Sequence, residues 1–97
     1  MALQIAKMVP ELTRNWPFYL SDQFKRATSS VVLNIAEGNG RFYPKERRRF
    51  FNIATSSAKE SASILDITLS FNLTSNKTYE LITDMLLQVV KMVSKLP

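Results

Sequence analysis

The thirty residues from Pro44 to Leu73 carry apolar side chains at helical spacing, and both glycines of the chain, Gly38 and Gly40, lie before them. Phe50, Ala54, Ala58, Ser61, Leu65 and Thr68 fall near the centre of one face. Phe51, Ala62 and Leu69 flank that face on one side, and Ile53, Ile64, Ile67 and Phe71 on the other. A helix of this span is about 45 Å long at roughly 1.5 Å per residue. Pro44 suits its first position, where a fixed φ helps and the missing N–H is not needed. The small side chains of Ala54, Ser57, Ala58, Ser61 and Ala62 allow a neighbouring helix to come close. Glu60 sits at the edge of the apolar arc and calls for a partner, because an unpaired buried charge is costly. Arg26 is the candidate.

Three further helices are predicted around it. The first spans about residues 2–14, with Leu3, Ile5, Ala6, Met8, Val9 and Leu12 as its apolar residues and a kink expected near Pro10. Trp16-Pro17 ends it, since the residue before a proline avoids the α region. Phe18, Tyr19 and Leu20 are expected to pack over one end of the core. A second helix is predicted over residues 22–37, with Ser21 as its N-cap and Asp22 in its first turn. Phe24, Ala27, Thr28, Val31 and Ile35 form its inner face. Gly38 or Gly40 is expected to close it with a left-handed turn. A fourth helix is predicted over residues 76–95, with Ser75 as N-cap and Tyr79, Ile82, Leu86, Val89, Val90 and Val93 as its stripe.

Four helices with short links and no strand pattern read as an all-α, antiparallel up-down four-helix bundle, with residues 1–97 forming one domain. The apolar arcs of the third and fourth helices exceed the ~100° that a lone bundle needs. Either a small core uses all of this surface or part of it is a subunit interface, and the width favours the interface.

The composition narrows the chemistry. There is no Cys and no His, so disulfides, thiolate metal sites and Glu-x-x-His di-iron sites are excluded. The carboxylates are scattered and lack histidine companions. No catalytic residue, cofactor or metal is expected, and the chain does not read as an enzyme. No segment has the uninterrupted apolar length of a membrane span, and the N-terminus lacks the layout of a signal peptide, so a cytoplasmic location and no membrane partner are expected.

The charge is concentrated. Arg41, Lys45, Arg47, Arg48 and Arg49 stand within nine residues with only Glu46 against them, in a chain whose net charge is +5. In the first turns of the third helix, the helix dipole disfavours each exposed cation by about 0.3–1 kcal/mol. Two readings follow. Glu37, near the unfavourable end of the preceding helix, pairs across the corner with one of these arginines. Alternatively, the cluster meets an anionic partner such as RNA or DNA phosphate. Phe42 is expected to plug the end of the bundle, and Tyr43 stands beside the cations.

The segments Leu20-Ser-Asp-Gln-Phe-Lys-Arg-Ala27, Asn34-Ile-Ala-Glu-Gly-Asn-Gly-Arg41, Pro44-Lys-Glu46 and Phe50 to Glu60 resemble a family of four-helix bundles. Its first members are encoded in intervening sequences of large-subunit ribosomal RNA genes. The accessory variability proteins of diversity-generating retroelements are distant relatives of the same kind. The resemblance implies a left-handed up-down bundle that assembles as a homopentamer and has no enzymatic activity. The retroelement relatives bind nucleic acid and a reverse transcriptase. The matching signature positions are Arg26, Asn34, Glu37, Gly38, Gly40, Arg41, Glu46 and Glu60, which the resemblance marks as fold-defining rather than catalytic. Tyr43 departs from the Ser often found before Pro-Lys-Glu in the family, so the cap is expected to come from elsewhere.

The function expected on these grounds is nucleic-acid binding by a homo-oligomer, through Arg41, Lys45, Arg47, Arg48 and Arg49. The alternative is a scaffolding or adaptor oligomer that docks an acidic protein at the same end, without nucleic acid.

Overall fold

A computed structural model describes residues 1–97. Four helices account for the chain: α1 (Ala2–Leu12), α2 (Phe18–Gly40), α3 (Pro44–Ser70) and α4 (Asn76–Ser94). α1 packs on α2 and α4, α2 on α3, and α3 on α4, so the helices close around one core. α2 and α3 run antiparallel. Gly38 meets Phe51 near the corner, and Ser30 meets Ser57 further from it.

The core follows the apolar periodicity. Ile5 and Val9 of α1, Leu20, Phe24, Ala27 and Val31 of α2, Phe51, Ala58, Ile64 and Leu65 of α3, and Ile82, Leu86, Val89 and Val93 of α4 are buried together. The small residues of α3 do what their size predicts. Ala54, Ser57, Ala58 and Ser61 are buried, and the Ser57 hydroxyl lies 2.7 Å from that of Ser30. Ser61 returns its own hydroxyl proton to the Ser57 carbonyl at 2.9 Å, so it is buried without an orphaned donor. Phe51, rather than Phe50, is the ring that enters the core from the start of α3.

α2 departs from the expected bounds at both ends. It begins at Phe18, with Pro17 at the N-cap, and Ser21 is a buried residue of the helix rather than its cap. Pro17 holds φ at −54° and ψ at 147°, and its carbonyl accepts from Leu20 and Ser21, which starts the helix early. Once these residues are helical, three in a row cannot face one core. Leu20 turns inward, while Phe18 and Tyr19 are exposed. At the other end, α2 runs through both glycines, and neither adopts a positive φ. Arg41 leaves the helix in an extended conformation.

The left-handed residue lies at the next corner, where Asn72 has φ 60°. The Leu73 N–H bonds to the Thr68 carbonyl at 2.8 Å and the Asn72 N–H to that of Leu69 at 3.0 Å, a Schellman closure of α3. α3 therefore stops at Ser70, short of Leu73. Ser75 caps α4 as expected, accepting from the Thr78 N–H at 3.2 Å, an arrangement worth about 1 kcal/mol. The Tyr79 hydroxyl donates to the Asp66 carboxylate and ties α4 to α3; that hydrogen bond is the main reason its pKa is raised. No helix is long and apolar enough to cross a membrane. α1 continues through Pro10.

Candidate nucleic-acid interface

The link between α2 and α3 is only Arg41, Phe42 and Tyr43, so the end of one helix and the start of the next form a single corner. Tyr43 occupies the N-cap position of α3, and the cap expected from elsewhere is absent: no side chain accepts from the first turn, and Pro44, which has no N–H to satisfy, follows at the first helical position. Glu46 is exposed in the first turn, where a carboxylate suits the dipole.

The five basic residues divide by what they touch. Arg47 is built into the fold. Its Nη1 donates to the carbonyls of Arg41 at 3.2 Å and Asn39 at 3.4 Å, its Nε donates to the Pro97 carbonyl at 3.3 Å, and its guanidinium lies over the Phe51 ring at 5.6 Å. It thereby serves carbonyls that the end of α2 leaves without helical partners. Arg41 is also engaged: its Nη2 lies 2.8 Å from Glu37 Oε2, and its guanidinium stands 4.8 Å from the Phe50 ring centroid. Arg49 shares that ring at 5.1 Å and pairs with no carboxylate. Lys45 and Arg48 make no ion pair, hydrogen bond or ring contact. With Tyr43, Glu46, Arg49, Asn52 and Ile53 they line an open groove of about 900 Å³. This follows from α3's own periodicity, which sets Lys45, Arg48, Arg49 and Asn52 on the side opposite its buried face.

Three expectations for this region are corrected. Glu37 does not pair across the corner with Arg47, Arg48 or Arg49; Arg41, four residues on, reaches it first. Arg26 does not pair with Glu60. It pairs with Asp22 at 3.1 Å along its own helix, and Glu60 is exposed, so its charge stays hydrated and needs no partner. Phe42 does not plug the bundle end. It is 87% exposed and makes an edge contact with Tyr43, ring centroids 5.4 Å apart. A three-residue link gives it no length to fold back, and Phe51 already fills the space under the corner.

Of the other signature positions, Asn34 and Gly38 serve the α2–α3 contact. Asn34 donates to the Ser30 carbonyl at 2.8 Å and to the Ser30 hydroxyl at 3.0 Å, extending the Ser30–Ser57 pair. Gly38 is buried against Phe51, whereas a side chain at Gly40 would meet open space. Sequence reasoning gave Gly38 the wrong task, yet a signal was present: Gly38 lies seven residues past Val31, on the stripe of Leu20, Ala27 and Val31.

A second surface runs along the outer seam of α2 and α3. On α2, Tyr19, Arg26, Leu33 and Glu37 recur at i, i+7, i+14 and i+18. On α3, Ile53, Glu60, Ile67 and Phe71 repeat the same spacing. Both rows lie just outside the Ser30–Ser57 contact, and their apolar members are exposed, Leu33 by 63%. The seam was not anticipated as a unit, because its two halves sit on different helices and join only on folding.

Over residues 1–95 the chain matches the model of the family described as 23S rRNA-intervening sequence protein. Comparison with the curated proteins finds no match.

Proposed function

The chain belongs to the 23S rRNA-intervening sequence protein family, and from that premise we propose that it is a cytoplasmic, non-enzymatic, self-associating helical bundle that binds the backbone of RNA or DNA through the α2–α3 corner. One observation carries the reading. Lys45, Arg48 and Arg49 project into a single open groove, and no carboxylate pairs with any of them. Cations left unpaired on one face attract a polyanion, and contacts of this kind read phosphate rather than sequence. The test is binding of a labelled structured RNA and a matched DNA duplex across a salt series. The expected result is a linear fall of log affinity with log salt, with a slope of about −0.7 to −0.9 for each phosphate neutralised. Absence of binding at low salt overturns the proposal.

Self-association is supported by the α2–α3 seam. Tyr19, Leu33, Ile53, Ile67 and Phe71 expose apolar surface in a row along both walls of the seam, the kind of patch that a second copy of the chain would cover. The homopentamer implied by the resemblance fits such an assembly, which would gather several basic corners on one particle and raise affinity through multivalency. Leu33→Asp combined with Ile53→Asp is expected to reduce the native mass to that of the 11.1 kDa monomer while helical circular dichroism is retained. A wild-type protein that is already monomeric at micromolar concentration would refute the seam's role.

A further inference from the structure

We propose that Phe42 and Tyr43 form a stacking platform for an unpaired base, so that the basic corner prefers single-stranded nucleic acid to duplex. This rests on the nucleic-acid reading of the corner and specifies its ligand. Two adjacent aromatic side chains stand exposed at the tip of the link, by 87% and 64%, and touch one another rather than the core. Tyr43 lines the same groove as Lys45, Arg48, Arg49 and Asn52. One nucleotide placed there would meet a ring face and cations within the same few residues. Asn52 adds an amide that can both donate to and accept from a base edge.

The platform is held in advance. Tyr43 precedes Pro44, and a residue before proline is kept out of the α region; Tyr43 accordingly sits at φ −90° and ψ 136°. Arg41, at the other end of the link, is also extended. Little backbone freedom remains to be lost when a base docks. A duplex cannot use these rings without unstacking, because its base faces are already covered. Unpaired RNA and unpaired DNA offer the same face, and base–aromatic stacking tolerates any sequence.

The test compares wild type with Phe42→Leu/Tyr43→Leu, which leaves every charge in place. The probes are an unstructured RNA oligonucleotide, the matching DNA single strand and the corresponding duplex, all at one salt concentration and then across a salt series. The expected result is that wild type prefers the single strands. The variant should lose affinity for them by roughly 5- to 150-fold per stacked base, while its duplex affinity and salt slope stay unchanged. Equal binding of single strand and duplex by wild type, or an equal loss on both in the variant, overturns the platform while leaving the basic groove standing. Absence of binding to all three probes overturns the platform and the nucleic-acid reading together. An unchanged helical spectrum and unchanged Trp16 emission confirm that the variant is folded.

Discussion

Charge reversal at Lys45, Arg48 and Arg49, with Arg47 left in place, is expected to lower affinity for nucleic acid at low salt by about 100-fold or more and to flatten the salt dependence by about 2 units of slope. The slope follows from three lost phosphate contacts, each releasing somewhat less than one counterion. The affinity loss is larger than simple deletion would give, because each Glu adds repulsion where attraction stood. Folding should be nearly untouched. None of the three side chains makes an ion pair or a hydrogen bond, and surface changes of that kind usually stay within about 0.5 kcal/mol. Arg47→Ala is the informative contrast. It removes the donors to the Asn39, Arg41 and Pro97 carbonyls and the cover over Phe51, so it should cost about 1–2 kcal/mol of stability. Its salt slope should change by less than one phosphate's worth. Reversal of all three consecutive arginines would mix the two effects. Titration of a labelled RNA with each variant, beside chemical denaturation of the same samples, keeps them apart. A Lys45/Arg48/Arg49 variant that binds as tightly as wild type would move the search to protein partners.

The bundle was legible because its signals are local. The stripe of α4, the start of α3 at Pro44, the Ser75 cap and the small residues of α3 that let a neighbour come close can each be read within one helix, and the structure bears each of them out; the stripe of α3 holds from Ala54 to Thr68 but not at Phe50, where Phe51 turns inward instead. Most of the errors arose where a second helix decides, although the early start of α2 at Pro17 is local. Glycines near a helix end suggested a left-handed turn, but Gly38 is needed for closeness to Phe51, and the turn went to Asn72. Arg26 and Glu60 suggested a pair because Glu60 borders apolar residues. That border proved to be open surface, and Asp22 was nearer. The basic cluster could be located but not divided, since the carbonyls and the Phe51 ring that set Arg47 apart from Arg48 come within its reach only after the helices have packed. The sequence suggests that Phe42 plugs the end of the bundle, whereas the length of the link and the seat already taken by Phe51 leave it outside.

Gly38→Ala is expected to destabilise the bundle although alanine is the better helix former. An added Cβ would lie 2.4 Å from Phe51 Cε1, 2.7 Å from Cδ1 and 3.0 Å from Cζ. The ring is buried in the core beneath the corner, so it cannot swing into solvent as the end of a flexible side chain would. Helix propensity favours the substitution by about 0.8–1.0 kcal/mol. Overpacking opposes it by about 1–3 kcal/mol, and the three contacts place this site toward the upper end, for a net loss of about 1–2 kcal/mol. In a chain of this size that corresponds to a fall in Tm of about 4–16 °C. Gly38→Val adds two methyl groups to the same clash and should lose about 3 kcal/mol. Gly40→Ala supplies the control: nothing lies within 4 Å of its added Cβ and its φ is not positive, so it should be neutral or slightly stabilising. Phe51→Leu identifies the cause. On its own it removes buried ring volume and destabilises; combined with Gly38→Ala it makes room for the methyl group, so the double variant should be more stable than the two separate losses imply, by about 1 kcal/mol. Trp16 reports all of these transitions, as the only tryptophan, buried and in edge contact with Phe24 at 5.1 Å. The variants must be compared at one protein concentration, because self-association makes apparent stability depend on it. A Gly38→Ala protein that melts at or above the wild-type temperature would mean that α2 and α3 separate at the corner with little loss, and the close approach of Gly38 to Phe51 would then not be what holds the basic groove in position.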